Sequence, residues 1–170
     1  MKIAFLADPL SGFKIYKDST FAMMREAARR GHEIYFFEQR HMALEIGVVS
    51  AEVARIHLTG EQDVWYRADA AIETRLSEFD AIIERKDPPF DMEYVYGTYL
   101  LELAEKQGAR VFNRPSAIRD HNEKLAIGQF SQFTSPTLVT SSEKRLRAFH
   151  AEHGDVIFKP LDGMGGTGIF

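Results

Sequence analysis

Met1-Lys2-Ile3-Ala4-Phe5-Leu6-Ala7-Asp8-Pro9 opens the chain with a short apolar run closed by an Asp-Pro turn signal. So brief a run, apolar at every position from Ile3 to Ala7, reads as a strand buried on both faces. Outward from it, a loop runs to Asp18. Asp18-Ser19-Thr20 then offers helix N-caps to Phe21-Ala22-Met23-Met24-Arg25-Glu26-Ala27-Ala28-Arg29-Arg30. Gly31 is the expected stop after a basic last turn. Ile34 to Phe37 is a second apolar strand. Strand, helix, strand in that order marks an α/β domain with a parallel sheet.

The rest of the chain extends this plan. Met42 to Leu58 alternates weakly and predicts a strand pair on the sheet margin, while Glu61 to Ser77 carries no period that places it. Phe79 to Glu84 predicts another buried strand, ending in Arg85-Lys86-Asp87-Pro88-Pro89-Phe90-Asp91. Asp91 caps a helix to Gln107, Gly108 stops it, and Arg110 to Asn113 forms a short strand. Beyond Pro115 the pattern changes. Helices are expected over Asn122 to Phe133 and Glu143 to His153, and strands over Pro136 to Thr140 and Asp155 to Lys159, with Ile169-Phe170 beginning another. The boundary falls in residues 115–122, giving one unit over 1–118 and a second over 119–170.

At 170 residues, 45% hydrophobic and 27% charged, the chain can bury a sizeable core, roughly 70% of its unfolded surface. Its net charge is −4, with no long basic run, which argues against nucleic acid or an anionic membrane as partner. Without cysteine there is no disulfide, thiolate metal site or cysteine nucleophile. The N-terminal apolar run is too short for a signal peptide or a membrane span, so a cytoplasmic location is expected.

The stretch richest in chemistry is Lys159-Pro160-Leu161-Asp162-Gly163-Met164-Gly165-Gly166-Thr167-Gly168. Glycines let successive backbone N–H groups turn toward an anion, and a lysine at the preceding strand end adds a point charge for phosphate. No Gly-Lys-Ser/Thr follows, so this is not a P-loop, and it does not open a helix as a dinucleotide fingerprint does. It could be an ordinary glycine-rich hairpin or a flap over phosphates. Lys159 at the preceding strand end, taken with the glycines, favours a nucleotide.

Three other places compete with blander readings. Arg85 follows a buried strand, at the end where α/β sheets form their ligand crevice, and its planar fork suits a carboxylate. Asp91 beside it reads as a cap, and Pro88 and Pro89 as structural. Lys17-Asp18-Ser19-Thr20 lies at a helix N-terminus, where Ser19 or Thr20 is either a simple cap or part of an anion site. Lys124 reads by itself as a surface lysine. The six histidines show no metal spacing, and Trp65 and Tyr66 read as packing residues.

Taken in order, Lys17-Asp18-Ser19-Thr20-Phe21-Ala22-Met23, Arg85-Lys86-Asp87-Pro88-Pro89-Phe90-Asp91, Asn113-Arg114-Pro115, Asn122-Glu123-Lys124-Leu125 and Lys159-Pro160-Leu161-Asp162-Gly163-Met164-Gly165-Gly166 resemble the bacterial glutathione synthetases, a branch of the ATP-grasp ligases. The resemblance runs from residue 1 to residue 170. It implies a pre-ATP-grasp, Rossmann-like domain followed by the beginning of an ATP-grasp domain. It also implies an ADP-forming ligase that joins γ-glutamylcysteine to glycine through an acyl phosphate. By the same resemblance Lys124, Lys159, Gly163, Met164, Gly165 and Gly166 contact ATP, and Arg85, Lys17, Asp18 and Ser19 face the peptide substrate. ATP and Mg²⁺ are the implied cofactors, with metal ligands expected beyond residue 170, and a homo-oligomer is expected.

The family has roughly as much chain again, so residues 1–170 alone are expected to be inactive and to self-associate or lose order in 122–170. Two rival readings stand beside this one. One is an ATP-grasp ligase for another carboxylate and amine; the other is a non-catalytic α/β module that binds a metabolite.

Overall fold

The computed structural model describes residues 1–166 and 168–170. The strand–helix–strand unit forms from β1 (Lys2–Ala7), α1 (Ser19–Arg29) and β2 (Glu33–Phe37). Side chains alternate across a strand, and β1 uses both faces. Ala4 and Leu6 enter one buried cluster with Phe37, Val49, Leu76, Ile82 and Leu101. Phe5 enters the other with Met24, Ile34, Ile56 and Trp65. Each large side chain so buried contributes about 1.5–3 kcal/mol.

The margin is antiparallel. β3 (Met42–Glu45) and β4 (Val48–Leu58) form a hairpin in which Glu45 pairs with Val48. Its two turn residues, Ile46 at φ 47° and Gly47 at φ 77°, are both left-handed, as a type I′ turn requires. β5 (Tyr66–Ala68) pairs with the C-terminal part of β4, and β6 (Ile72–Arg75) with its N-terminal part. β7 (Ala81–Arg85) returns to the centre parallel to β1, followed by α2 (Met92–Lys106) and β8 (Val111–Phe112). The eight-stranded sheet runs β3-β4-β2-β1-β7-β8, with β5 and β6 on β4. Around β1 it is parallel, as expected. α2 contributes Leu101 and Ala104 to the first cluster, and α1 contributes Met24 to the second.

Beyond α2 come α3 (Pro115–Asp120) and α4 (Glu143–His153). α3 packs back on α2 through Arg119, which bonds Thr98 and Glu102 and stacks 4.4 Å over the Tyr99 ring.

Several local expectations are corrected. The helix expected over 122–133 is a 3₁₀ segment covering Ala126–Phe133, kinked at Phe130. Asn122 Oδ1 accepts the N–H groups of Lys124 and Leu125 at 3.0 and 3.1 Å, holding the start in a turn, and none of the segment's residues is buried. With no face to bury, a helix has little to hold it. No strand forms over 136–140. Over 155–159 the only rung is Phe158 with Phe170, exchanging N–H···O bonds of 2.8 and 3.1 Å, because among the described residues no longer partner lies alongside. The stretch 61–77 holds β5 and β6, whose mostly exposed residues leave no apolar period to read.

Candidate functional site

The C-terminal ends of β1 and β7 lie side by side, with Ala7 paired to Arg85. Asp8, the next residue after β1, anchors the segment that leaves β7. Its Oδ1 takes Lys86 Nζ at 2.7 Å and its Oδ2 takes the Asp87 N–H at 2.9 Å. Lys86 Nζ also donates to the Asp87 carbonyl at 2.7 Å. Lys86 is thereby neutralised, and its charge is turned inward.

Arg85 is placed differently. Alternation along β7 puts Ile83 in the cluster shared with α1 and Ile82 in the cluster shared with α2. Arg85 follows Ile83 to the α1 face. There its Nε donates to Thr20 Oγ1 at 3.0 Å and its Nη2 to Ser19 Oγ at 2.7 Å. Among the described residues no carboxylate pairs with it. The helix cap is Asp18, not Ser19 or Thr20: its carboxylate accepts the Phe21 N–H at 2.8 Å, as suits an anion at the positive end of a helix. That frees the two hydroxyls for Arg85. Arg85, Asp18 and Ser19 are therefore gathered at one helix end. Lys17 is exposed in the preceding turn, with its ammonium 5.8 Å from the Tyr16 ring.

On the α2 face the buried Glu84 carboxylate accepts the Lys86 N–H at 3.1 Å and the Tyr94 hydroxyl at 3.2 Å. Burial pushes its pKa up to about 7, and the two hydrogen bonds oppose that rise. The Asp87 carboxyl is also raised, first by burial and then by Asp8. A cleft of about 580 Å³ opens on this face, between the ends of β1 and β2 and the first turns of α2.

The glycine loop sits against the segment after Arg85. The Phe90 N–H donates to the Asp162 carbonyl at 3.1 Å. A pocket of about 140 Å³ lies between Pro88, Phe90 and Tyr94 on one side and Asn122, Lys124 and Leu161 on the other. Lys124 Nζ reaches Gly163 O at 2.5 Å, Leu161 O at 3.4 Å and Glu123 Oε1 at 2.9 Å. Lys159 is exposed and has no ion-pair partner among the described residues, and Met164 is exposed as well. Gly165 and Gly166 have φ values of 64° and 85°, and a Cβ on either would meet open space. Only glycine adopts such a conformation freely. Thr167, quoted with the glycine loop, lies outside the described residues. Among the described residues no group of three or more His, Asp or Glu side chains is placed to hold a metal ion.

Sequence reasoning did not single out Asp8, Glu84 or Tyr94, and it read Thr20 as a cap or anion contact, not as a partner of Arg85. Asp8 and Glu84 carried a readable signal, a charge at the end of an apolar strand. The pairing of Thr20 with Arg85 and the role of Tyr94 carried none, because they depend on partners 65 and 10 residues away.

Comparison with known proteins places the chain. A model of the prokaryotic glutathione synthetase N-terminal domain matches residues 1–119, and one of the prokaryotic glutathione synthetase ATP-grasp domain matches residues 123–170. The chain belongs to the prokaryotic glutathione synthetase family. A glutathione synthetase of Ralstonia nicotianae is 64% identical over the whole chain and 52% of its own length. Those of Nitrosomonas europaea and Neisseria meningitidis serogroup A are 55% and 53% identical, over 54% and 55% of their lengths. The chain thus spans about half the length of these glutathione synthetase relatives. Among solved structures, the ATP-grasp ligase PsnB complexed with minimal precursor, Mg and ADP aligns over 96% of the chain and 55% of its own, at 22% identity and a TM-score of 0.48. The sheet topology and the two family matches together give an α/β fold, an N-terminal domain leading into ATP-grasp sequence. No described helix is long and apolar enough to cross a membrane.

Proposed function

We propose that residues 1–170 form the acceptor-binding unit (1–118) and the opening of the nucleotide-binding unit (119–170) of an ATP-dependent ligase joining γ-glutamylcysteine to glycine. The observation that carries this is the Phe90 N–H bond to the Asp162 carbonyl. It sets the segment after Arg85, a cation without an anionic partner among the described residues, against a glycine loop flanked by Lys124 and Lys159. In this reading the Arg85 fork for a carboxylate and the glycine-loop cradle for phosphates lie at the two ends of the Arg85–Phe90 segment and serve one reaction. A reaction that activates a carboxylate by phosphorylation needs both together.

In this reading a carboxylate oxygen of the dipeptide attacks the γ-phosphorus of ATP and ADP leaves; the glycine amine then attacks the carboxyl carbon and phosphate leaves. Arg85 holds the acceptor, with Lys17, Asp18 and Ser19 at the adjoining helix end. The Gly163–Gly166 backbone, with Met164 over it, lies along the phosphates. Lys124 and Lys159 offset the charge that gathers there. The glycine and lysine donor set suits a polyphosphate. Mg²⁺ belongs to the same reading, but the described residues hold no carboxylate cluster for it. A cytoplasmic setting goes with ATP as phosphoryl donor.

The test is ADP release by the protein extended to its relatives' full length, with acceptors and amines exchanged one at a time. ADP formation that requires both γ-glutamylcysteine and glycine is the expected result. Faster turnover with another dipeptide or a D-amino acid would replace this substrate assignment.

A further inference from the structure

Arg85 Nε and Nη2 share one edge of the guanidinium, and both point to hydroxyls on the first turn of α1. A guanidinium has five N–H donors in a rigid plane. With that edge occupied, the opposite edge, made of Nη1 and the outer Nη2 hydrogen, has no partner among the described residues. The two hydroxyls are neutral, so they fix the plane without cancelling its charge. The neighbouring Lys86 is neutralised by Asp8 at 2.7 Å. Of two adjacent cations, one is thus closed off and the other is presented.

The two hydroxyls are not equivalent. Ser19 is exposed, whereas Thr20 is 5% exposed. A buried hydroxyl that loses its partner carries a desolvation penalty, and the branched Thr side chain is stiff at χ1. Thr20 is therefore a fixed post, and Ser19 an adjustable one.

We propose that Thr20 is the positioning residue for Arg85, holding the guanidinium so that its Nη1/Nη2 edge receives a substrate carboxylate end-on. This rests on the ligase reading above. Thr20 touches no substrate; it acts through Arg85 alone. A two-point fork is lost when its plane tilts, so the effect falls on the affinity for the carboxylate substrate and not on the nucleotide.

The experiment compares Thr20→Val, which keeps the shape and removes the hydroxyl, with Thr20→Ser, which keeps the hydroxyl, in the full-length protein. Thr20→Val should raise KM for the carboxylate acceptor roughly tenfold, as expected for a misaligned hydrogen bond to a charged group. KM for ATP and kcat should stay within about twofold, and Thr20→Ser should restore the acceptor KM to within about twofold. In parallel, the ¹⁵N signal of the Arg85 Nε–H should be protected from exchange in the wild type and in Thr20→Ser, and lost in Thr20→Val. An unchanged acceptor KM, or an equal rise in every KM, overturns the proposal. So does an Arg85 signal indifferent to Thr20. If γ-glutamylcysteine is not turned over but another carboxylate is, the substrate assignment fails and the same KM split is read on that acceptor. If nothing is turned over, the Arg85 signal alone decides.

Discussion

The Lys124 ammonium lies 2.5 Å from the carbonyl oxygen of Gly163, across 39 residues of chain. With Leu161 O at 3.4 Å and Glu123 Oε1 at 2.9 Å, each of its three hydrogens has an oxygen to meet. Before any anion arrives, this lysine tethers the glycine loop. Lys124→Met should therefore loosen the loop and weaken nucleotide binding together. The backbone order parameter at Gly163 should fall, and affinity for a non-hydrolysable ATP analogue should drop at least tenfold, a typical cost of about 1.5–3 kcal/mol for a charged hydrogen bond. An ordered loop with weakened binding would leave Lys124 as a ligand only.

Glu84 links pH to stability. Its folded pKa, about 7, lies above its ordinary 4.5, so between those values the native state holds a proton that the unfolded chain releases. The stability this confers is complete below pH 4.5 and is lost as pH rises through about 7. A rise from 4.5 to about 7 corresponds to about 3 kcal/mol. Glu84→Gln keeps an oxygen for the Lys86 N–H and removes the titration. Between pH 5 and 8 the wild type should lose more Tm than Glu84→Gln; parallel curves would show that Glu84 does not titrate in that range.

Trp65 is the only tryptophan and is 7% exposed. It stacks on Phe13 at 5.8 Å, meets Phe21 edge-on at 5.0 Å and leans on Tyr66 at 4.5 Å. Trp65→Ala should cost about 3–5 kcal/mol, read as a lower urea midpoint by circular dichroism, since the mutation removes the fluorophore. Trp65→Phe should cost less than half as much.

Gly97 of α2 faces the Gln39 side chain from the turn after β2. A Cβ there would stand 2.8 Å from Gln39 Cδ, and Gln39 Nε2 donates to the Glu93 carbonyl. Because the obstacle is the end of a flexible side chain, Gly97→Ala should displace Gln39 for a loss below about 1 kcal/mol, partly offset by better helix propensity. Pairing it with Gln39→Ala should remove the steric part of that loss, which a double-mutant cycle measures.

Much of this architecture was legible in the sequence because it rests on local pattern. The unbroken apolar run Ile3 to Ala7, the capped helix ending at Gly31 and the Asp91 cap each need only their neighbours. β5 and β6 were not legible, because their exposed residues are ordered by β4 and not by an apolar period of their own. The segment 122–133 read as a helix, but over Ala126–Phe133 no residue is buried to hold one. At the site the charges were visible and their pairing was not. Lys86 and Arg85 look alike in sequence, and only the fold brings Asp8 to one and hydroxyls to the other.

The most direct measurement is calorimetric titration of the full-length protein and its Lys159→Ala variant with a non-hydrolysable ATP analogue. Lys159 is exposed and precedes the glycine loop in sequence, so its removal should leave the far-ultraviolet spectrum and Tm unchanged. Affinity should fall at least tenfold, as for loss of a charge-assisted contact. Equal affinities with both folds intact would mean that Lys159 does not hold the phosphates.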